Sequence, residues 1–290
     1  MSVIKNNKTY GIRVKLLQPE PMPEPIHAET YFYVEDIIGD GMTCSVSAYS
    51  TLQYSTDGTN WQTIQISDTT EQLSVPAKGR LYMYGSGENY RIKCNAPFNT
   101  GGNIMSLFYG NDFQGHTESV NLNNLFENSL IYKCKTVFPS TTVGGGYYQW
   151  MFYGCASLTT APELPATTLD NYAYAHLFHN CTSLTTAPAL PATTLAENCY
   201  SGMFEDCTAL TTAPVLPATT LAEGCYHSMF WVCTSLNRVT TYATDISASY
   251  CLNNWLYRVS STGDFYNLGR ASYRSGANGI PTGWTEHTSL

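Results

Sequence analysis

Histidine, aromatic and carboxylate side chains occupy the positions that differ between successive copies of a repeat in this chain. The copies align on phenylalanines spaced 26 residues apart, such as Phe178 and Phe204. Positions that must pack do not vary, so we expect the variable positions to face solvent, where flat ring faces suit the binding of sugars or proteins. Ordinary drift of a solvated face is the alternative interpretation. The candidate surface comprises Trp150, Tyr153, His176, His179, Glu205, His227 and Trp231.

Two of these residues, His176 and His179, are spaced so that they would share one face of a helix and could share a metal ion. A metal site in a protein normally has at least three protein ligands. No third ligand recurs beside the two histidines in the sequence. We therefore favour two exposed imidazoles as the interpretation, and we predict no metal and no cofactor.

The motifs of common enzyme classes are missing from the sequence. It contains no GxSxG, no HExxH and no phosphate-binding glycine loop. The carboxylate pair Glu205 and Asp206 lies in variable columns, which argues against acid–base chemistry at that place. We predict a protein that is not an enzyme; a glycosidase, the competing possibility, would need two carboxylates in a cleft.

The repeat that carries the candidate surface predicts a stack of units, each burying an apolar face against its neighbours. Cys199, Met203 and Cys207 are four residues apart, which we interpret as the apolar stripe of a short helix. The segment Thr194–Glu197 (TLAE) matches a helix capping box. The segment LTTA at Leu184 predicts a strand, and the prolines after it predict a corner. Each coil is expected to contain a strand, a proline turn, a helix and a return loop.

Ten cysteines are present, and seven of them recur at the repeat spacing. The other three, Cys44, Cys94 and Cys134, are scattered, and no cysteine pair has the CxxC spacing of a metal site. We interpret the repeated cysteines as small buried hydrophobic residues. Many unpaired thiols suit a chain that folds in a reducing cytoplasm.

The regions that flank the repeats differ from them in composition. Tyr10–Leu17 predicts a short strand, and four prolines within Gln18–Pro25 predict an extended spacer. The next segment has short alternating runs rich in Tyr, Val, Ile and Thr, and Asp57-Gly58 predicts a hairpin turn. The predicted parts are a strand with a proline-rich linker, an antiparallel β-sandwich, a repeat solenoid with an N-terminal cap, and a C-terminal cap, at residues 1–25, 26–100, 101–257 and 258–290.

Composition and charge narrow the choice of partners. Charged residues make up 12% of the chain, about half of the usual ~25%. The net charge is −8 and the 14 basic residues form no cluster, which makes nucleic acid a poor partner. No apolar run approaches the ~18 residues of a membrane-spanning helix, and the N-terminus has no apolar signal core. We predict no nucleic-acid partner and no membrane insertion; an export signal is either missing or not used.

The pattern Phe-x-x-Cys-x-x-Leu, followed by a strand and prolines, resembles the BspA-like leucine-rich repeats of Bacteroidetes and related bacteria. The sequence LTTAPxLPATTLAxxCYxxMF is similar to a 26-residue variant of that family and covers about residues 124–257. The resemblance implies a leucine-rich-repeat solenoid, so the expected fold class is α+β. The flanking LQYSTDGTNW and GIPTGW segments look like proteins encoded by phages and prophages of gut Bacteroidetes.

That resemblance implies a recognition protein displayed on a virion or on a cell surface. We expect a phage fibre or decoration protein whose N-terminal region contacts other virion proteins and whose repeats recognise a host surface protein or glycan. A homo-oligomer is expected only by analogy with trimeric fibres. The alternative is a BspA-like bacterial adhesin located on the cell surface.

Overall fold

The computed structural model describes residues 31–290, except the side chain of Asp68. The predicted strand Tyr10–Leu17 and the proline-rich segment Gln18–Pro25 lie outside this part of the chain. The described residues form a β-rich fold with several sheets, and their one α-helix is the four-residue α1 (Ser106–Tyr109). The predicted α+β class is therefore correct in its β part, whereas a helix in each repeat is wrong.

Seven strands form one sheet at the N-terminal end of the described chain. Their side chains alternate between buried and exposed positions, as the period of two in a strand requires when one face packs on a core. In the second strand Cys44, Val46 and Leu52 are fully buried. The strands are β1 (Phe32–Asp36), β2 (Met42–Ser55), β3 (Gln62–Val75), β4 (Arg80–Gly85), β5 (Glu88–Cys94), β6 (Phe98–Gly101) and β7 (Ile131–Cys134).

The hydrogen bonds of this sheet follow the order β3-β2-β4-β1-β6-β7, and β5 also pairs with β2. The pairs are antiparallel, as predicted, except that β6 and β7 are parallel. Strand β2 pairs with β3 on one side, and on the other side through its first half with β5 and through its last residues with β4. The strands of the predicted antiparallel β-sandwich are thus hydrogen-bonded into one sheet among the described residues.

The predicted turn at Asp57-Gly58 is confirmed. It connects β2 to β3, and Tyr54 is paired with Gln62 on either side of it. The Asp57 carboxylate accepts hydrogen bonds from the backbone N–H groups of Thr59 at 2.8 Å and Asn60 at 2.7 Å. A short acidic side chain that satisfies the loop backbone is the usual reason for aspartate in such turns.

Cys44 and Cys94 form a disulfide, which corrects the expectation that the cysteines are unpaired. The two residues are direct partners in the register of β2 and β5. Their pairing depends on strands that are 50 residues apart in sequence, so cysteine spacing alone could not reveal it. The other eight cysteines are free and buried.

The predicted helix of each repeat is replaced by a series of four-residue turns, as in residues 198–206. Backbone N–H groups donate to carbonyls three positions earlier, for example from Ser201 to Asn198 at 3.0 Å. Asn198, Gly202 and Asp206 have left-handed backbones with φ of 53°, 58° and 58°. We call such a run a turn ribbon. The described turn ribbons are residues 122–128, 146–154, 172–180, 198–206, 224–232 and 250–258.

The spacing of the apolar residues explains why turns form instead of a helix. An α-helix repeats every 3.6 residues, whereas Cys199, Met203 and Cys207 recur every four and are all fully buried. A strict period of four brings each of them to the same side of successive four-residue turns. The capping box at Thr194–Glu197 is therefore also wrong, and the Glu197 N–H instead donates to the side chain of Asn171 at 3.2 Å.

Neighbouring turn ribbons are joined through the main chain and through a stack of buried rings. The Phe204 N–H donates to the Met229 carbonyl at 2.9 Å, and the same 25-residue step recurs along the repeats. Phenylalanine rings at 26-residue spacing lie 5.3 to 5.6 Å apart from Phe126 to Phe230. At the first ring, Phe126 also contacts Phe32 of the sheet at 6.2 Å. The sheet and the repeats consequently share one hydrophobic core.

The repeated cysteines confirm the interpretation of small buried residues and add a hydrogen bond to it. The Cys207 thiol donates to the Phe178 carbonyl of the previous copy at 3.1 Å, and Cys233 does the same to Phe204 at 2.9 Å. Burial raises the pKa of both thiols. A buried thiol with a raised pKa is a poor nucleophile, so these cysteines act in packing.

Strands at the corners of the repeats form a second, parallel sheet, whose order is β10 (Thr212–Leu216), β11 (Arg238–Thr241), β12 (Gly263–Asn267) and β13 (Trp284–His287). Strand β10 continues through Pro214, although proline was expected to end the strand. It is accommodated where the register of β10 against β11 shifts between Thr212 and Val215, as proline in a sheet is found at such irregularities. The strands β8 (Thr142–Val143) and β9 (Thr168–Leu169) pair with each other in a separate, two-stranded parallel sheet.

The segment predicted as a C-terminal cap covers the last turn ribbon and also extends the parallel sheet. Strands β12 and β13 continue the ladder that begins at β10. The indole of Trp255 is fully buried, donates to the Gly279 carbonyl at 2.9 Å and stacks on Tyr273. These contacts close the apolar end that the last ring of the stack would otherwise expose.

One position of the turn ribbons carries avoidable strain and provides a test of their geometry. Val232 has φ of 59°, which is unfavourable for a β-branched residue, whereas Asn180 occupies the same column with φ of 60°. We expect Val232→Asn to raise the free energy of unfolding by about 1 kcal/mol, measured by urea denaturation. The reverse change, Asn180→Val, should lower it by a similar amount. If neither substitution changed the free energy of unfolding, the result would contradict the left-handed turn at this position.

Candidate functional site

The seven residues of the candidate surface lie on four consecutive turn ribbons. Residues 26 apart lie side by side because neighbouring ribbons are in register. The rings of Trp150 and His176 are 6.1 Å apart, and those of Tyr153 and His179 are 4.9 Å apart. Trp231 neighbours Tyr257 at 6.3 Å, so an aromatic side chain continues this column beyond the predicted set.

Exposure differs among these residues. Trp150 and Trp231 are the most open, each with 38% of its surface accessible, and Tyr153, His176, His179 and His227 are half-buried. Glu205 is only 7% exposed, so the expectation that it faces solvent is wrong. Its carboxylate is covered because it turns towards the two histidines of the preceding copy. His227 lies near Ser201, with 3.4 Å between the imidazole Nδ1 and the hydroxyl.

His176, His179 and Glu205 form a compact cluster at the centre of the candidate surface. The two imidazole Nδ1 atoms are 3.4 Å apart. Oε2 of Glu205 is 3.6 Å from each of them. Each side chain is positioned by its turn ribbon, whose backbone is bonded across to the next copy; the Asn180 N–H, for example, donates to the Glu205 carbonyl at 2.8 Å.

The cluster was not predicted from the sequence because its third member, Glu205, belongs to the next copy of the repeat. A signal for it was present, since His179 and Glu205 occupy the same column in adjacent copies. Side chains in one column lie next to each other once the copies stack. The reason for favouring two isolated imidazoles, the lack of a third ligand, therefore no longer applies.

Burial determines the electrostatics of the cluster. It lowers the pKa of His176 to about 4, with repulsion from His179 and His227 adding to the effect. It also lowers the pKa of His179, although the carboxylate of Asp206 opposes that change. Burial, together with repulsion from the neighbouring Asp206, raises the pKa of Glu205 to about 7. Partly desolvated groups of this kind are typical of functional sites.

A second concave feature lies at the proline corners, away from the candidate surface. It is a groove of about 650 Å³ between two copies of the repeat. Its walls are mostly threonine, alanine and proline, with Glu163 as the charged residue that lines it. A groove of this composition offers apolar contact and one carboxylate, but no set of convergent polar groups. Residues along the groove include Thr159, Pro162, Glu163, Thr185 and Pro188.

Within residues 31–290, no helix has the length and apolar character needed to cross a membrane. The cluster has one carboxylate within reach of the two imidazoles, while Asp206 lies on the far side of His179, with 3.6 Å between its Oδ2 and the ring Nε2. Comparison of the chain with protein-family models, curated proteins and solved structures found no match. The resemblance to BspA-like repeats therefore depends on the sequence pattern alone.

Proposed function

We propose that this protein is a non-enzymatic structural protein of a phage virion, of the fibre or decoration type, that displays its repeats to recognise the bacterial host. The observation that carries the proposal is the row of aromatic and histidine side chains on the turn ribbons. Tyr172, Tyr250 and Tyr257 are exposed on turn ribbons that neighbour those of Trp150 and Trp231. Aromatic side chains of this kind bury large areas at low entropic cost when a partner binds.

We infer that the repeats stack as a BspA-like leucine-rich-repeat solenoid. The main-chain bonds across 25 residues and the phenylalanine stack support this inference. In such an array each copy contacts only its neighbours. The packing columns can therefore stay constant while the exposed columns diverge, and the side chains of the ribbons can change with the receptor without loss of the fold.

The expected ligand is a surface protein or glycan of the host cell. Trp150 and Trp231 supply apolar ring faces, and the half-buried Tyr153 and His227 supply hydrogen-bonding groups beside them. This combination of flat rings and polar groups suits the apolar face and the hydroxyls of a sugar. Contact with other virion proteins is assigned to the N-terminal region, and a homo-oligomer remains a proposal by analogy.

The alternative function, a BspA-like adhesin on the bacterial surface, receives support from one feature. The Cys44–Cys94 disulfide is typical of proteins that work in an oxidising environment. Eight buried free thiols accompany it, and burial protects thiols from oxidation in either location. The disulfide is thus compatible with a released virion as well as with a cell envelope.

Mass spectrometry of purified virions separates the two functions. Phage particles induced from the host and purified on a density gradient should contain the full chain in a constant ratio to the capsid protein. The envelope fraction of uninduced cells serves as the matched sample. Recovery of a processed chain in that envelope fraction, together with its absence from virions, would refute the virion role.

A further inference from the structure

We propose that His176, His179 and Glu205 bind a divalent transition-metal ion of the zinc type. Nδ1 of His176, Nδ1 of His179 and Oε2 of Glu205 form a triangle with sides of 3.4, 3.6 and 3.6 Å. A tetrahedral ion with bonds of about 2.0–2.2 Å to nitrogen and oxygen places its ligands about 3.3–3.6 Å apart. The three atoms therefore already have the separation of ligands around one ion.

The Glu205 carboxylate has only long contacts to the two imidazoles of the cluster. The contacts of the Glu205 carboxylate to the imidazoles are 3.6 Å, which is longer than a hydrogen bond. The Glu205 side chain is 10% exposed, so most of it is removed from water. Burying a carboxylate without a hydrogen bond or counter-charge is costly. A dication coordinated by all three atoms would supply that charge.

Asp206 adds an independent feature of metal sites. Its Oδ2 is 3.6 Å from Nε2 of His179, on the opposite side of the ring from the cluster. A histidine that binds a metal through one nitrogen commonly directs its other N–H to a carboxylate, which orients the ring and selects the tautomer. With the proton on Nε2, Nδ1 of His179 keeps the lone pair that a metal ion needs.

Gly202 provides the space that the site needs. A Cβ atom at this position would lie 2.3 Å from Nδ1 of His176 and 3.0 Å from Oε2 of Glu205. The same column carries Trp150 and Ser228 in other copies. The copy next to the two histidines thus has glycine in this column, and the missing side chain leaves room for an ion.

The ligand set favours zinc and related ions over calcium or magnesium, which prefer oxygen ligands. Three protein ligands leave a fourth position free, and the two half-buried histidines place it next to the surface. A bound ion could there accept a water molecule or an oxygen atom of a partner. The inference concerns the ion alone and does not depend on the proposed recognition role.

The test is metal binding by the full chain after removal of metals with a chelator. Equilibrium dialysis against zinc, followed by elemental analysis, should show one ion per chain. Cobalt in place of zinc should give the visible bands of a tetrahedral ion without the charge-transfer band of a thiolate, which separates this site from the cysteines. Absence of zinc binding, or a thiolate band, would overturn the proposal.

Variants locate the ion. His179→Ala and Glu205→Gln should abolish binding, and Asp206→Asn should weaken it by about 10-fold or more. His116→Ala is the matched control, because His116 also contacts a carboxylate, Glu118 at 2.9 Å, but belongs to no group of three possible ligands within residues 31–290. Circular dichroism establishes that each variant is folded. Unchanged zinc affinity in folded His179→Ala and Glu205→Gln would also overturn the proposal.

Discussion

Replacing Phe204 with alanine is expected to lower the free energy of unfolding by about 4 kcal/mol. The ring is fully buried and stacks on Phe178 at 5.6 Å and on Phe230 at 5.5 Å. Its removal leaves a cavity between two copies that are joined by main-chain hydrogen bonds and cannot collapse freely. Urea denaturation followed by circular dichroism measures the loss.

Trp231→Ala is the control for this change. Trp231 is a larger aromatic residue on the adjacent ribbon, but 38% of its surface is exposed, and its truncation should cost much less than that of Phe204. The comparison distinguishes the loss of a buried, stacked ring from the loss of an aromatic side chain at a partly exposed position. A loss for Phe204→Ala no greater than that for Trp231→Ala would contradict the assignment of the phenylalanine column to the core.

Removing the Cys44–Cys94 disulfide is expected to lower the free energy of unfolding by about 4 kcal/mol, because the bond closes a loop of 50 residues in the unfolded chain. The double variant Cys44→Ala/Cys94→Ala tests this value by urea denaturation under oxidising conditions. Both positions are buried partners on β2 and β5, so part of the loss also reflects packing.

Reduction provides the control. Under a thiol reductant the wild-type protein should lose most of its advantage over the double variant, since the remaining eight cysteines form no disulfide among the described residues. Cys134→Ala removes a buried free thiol of β7 but keeps the disulfide, so its stability should differ from that of the wild type by the same amount under both conditions. Wild-type stability that does not respond to reductant would show that the bond contributes nothing in solution.

The repeat period and the packing columns could be predicted from the sequence because they depend on neighbours at a constant spacing. Phe126 lies 26 residues before Phe152, and their rings stack at 5.4 Å. The burial of the repeated cysteines followed from the same regularity. Repetition makes long-range contacts appear as local patterns, which is why these features were accessible.

The turn ribbons were missed because an apolar residue at every fourth position is close to the helical period. Two signals distinguished the alternatives. The spacing of Cys199, Met203 and Cys207 is four rather than 3.6, and Asn198, Gly202 and Asp206, which tolerate a left-handed backbone, occupy the corners. Neither signal is conclusive without the hydrogen bonds between copies.

The cluster of His176, His179 and Glu205 and the disulfide were missed for a different reason. Both depend on which residues of separate segments meet. Glu205 reaches the histidines only because adjacent copies are in register, and Cys44 meets Cys94 only because β2 pairs with β5. The spacing of residues in the sequence shows which of them are neighbours along the chain. It shows which residues of separate segments are in contact only once the register of the strands or repeat copies is known.

The most direct test of the recognition role is binding of the labelled protein to intact cells of candidate Bacteroidetes hosts and to an array of bacterial surface glycans. The account predicts saturable binding that Trp150→Ala and Trp231→Ala each weaken by about 10-fold or more. Val215→Ala, which changes an exposed apolar residue on β10, should leave binding unchanged. Binding that both tryptophan variants retain in full, or that Val215→Ala weakens equally, would contradict the candidate surface.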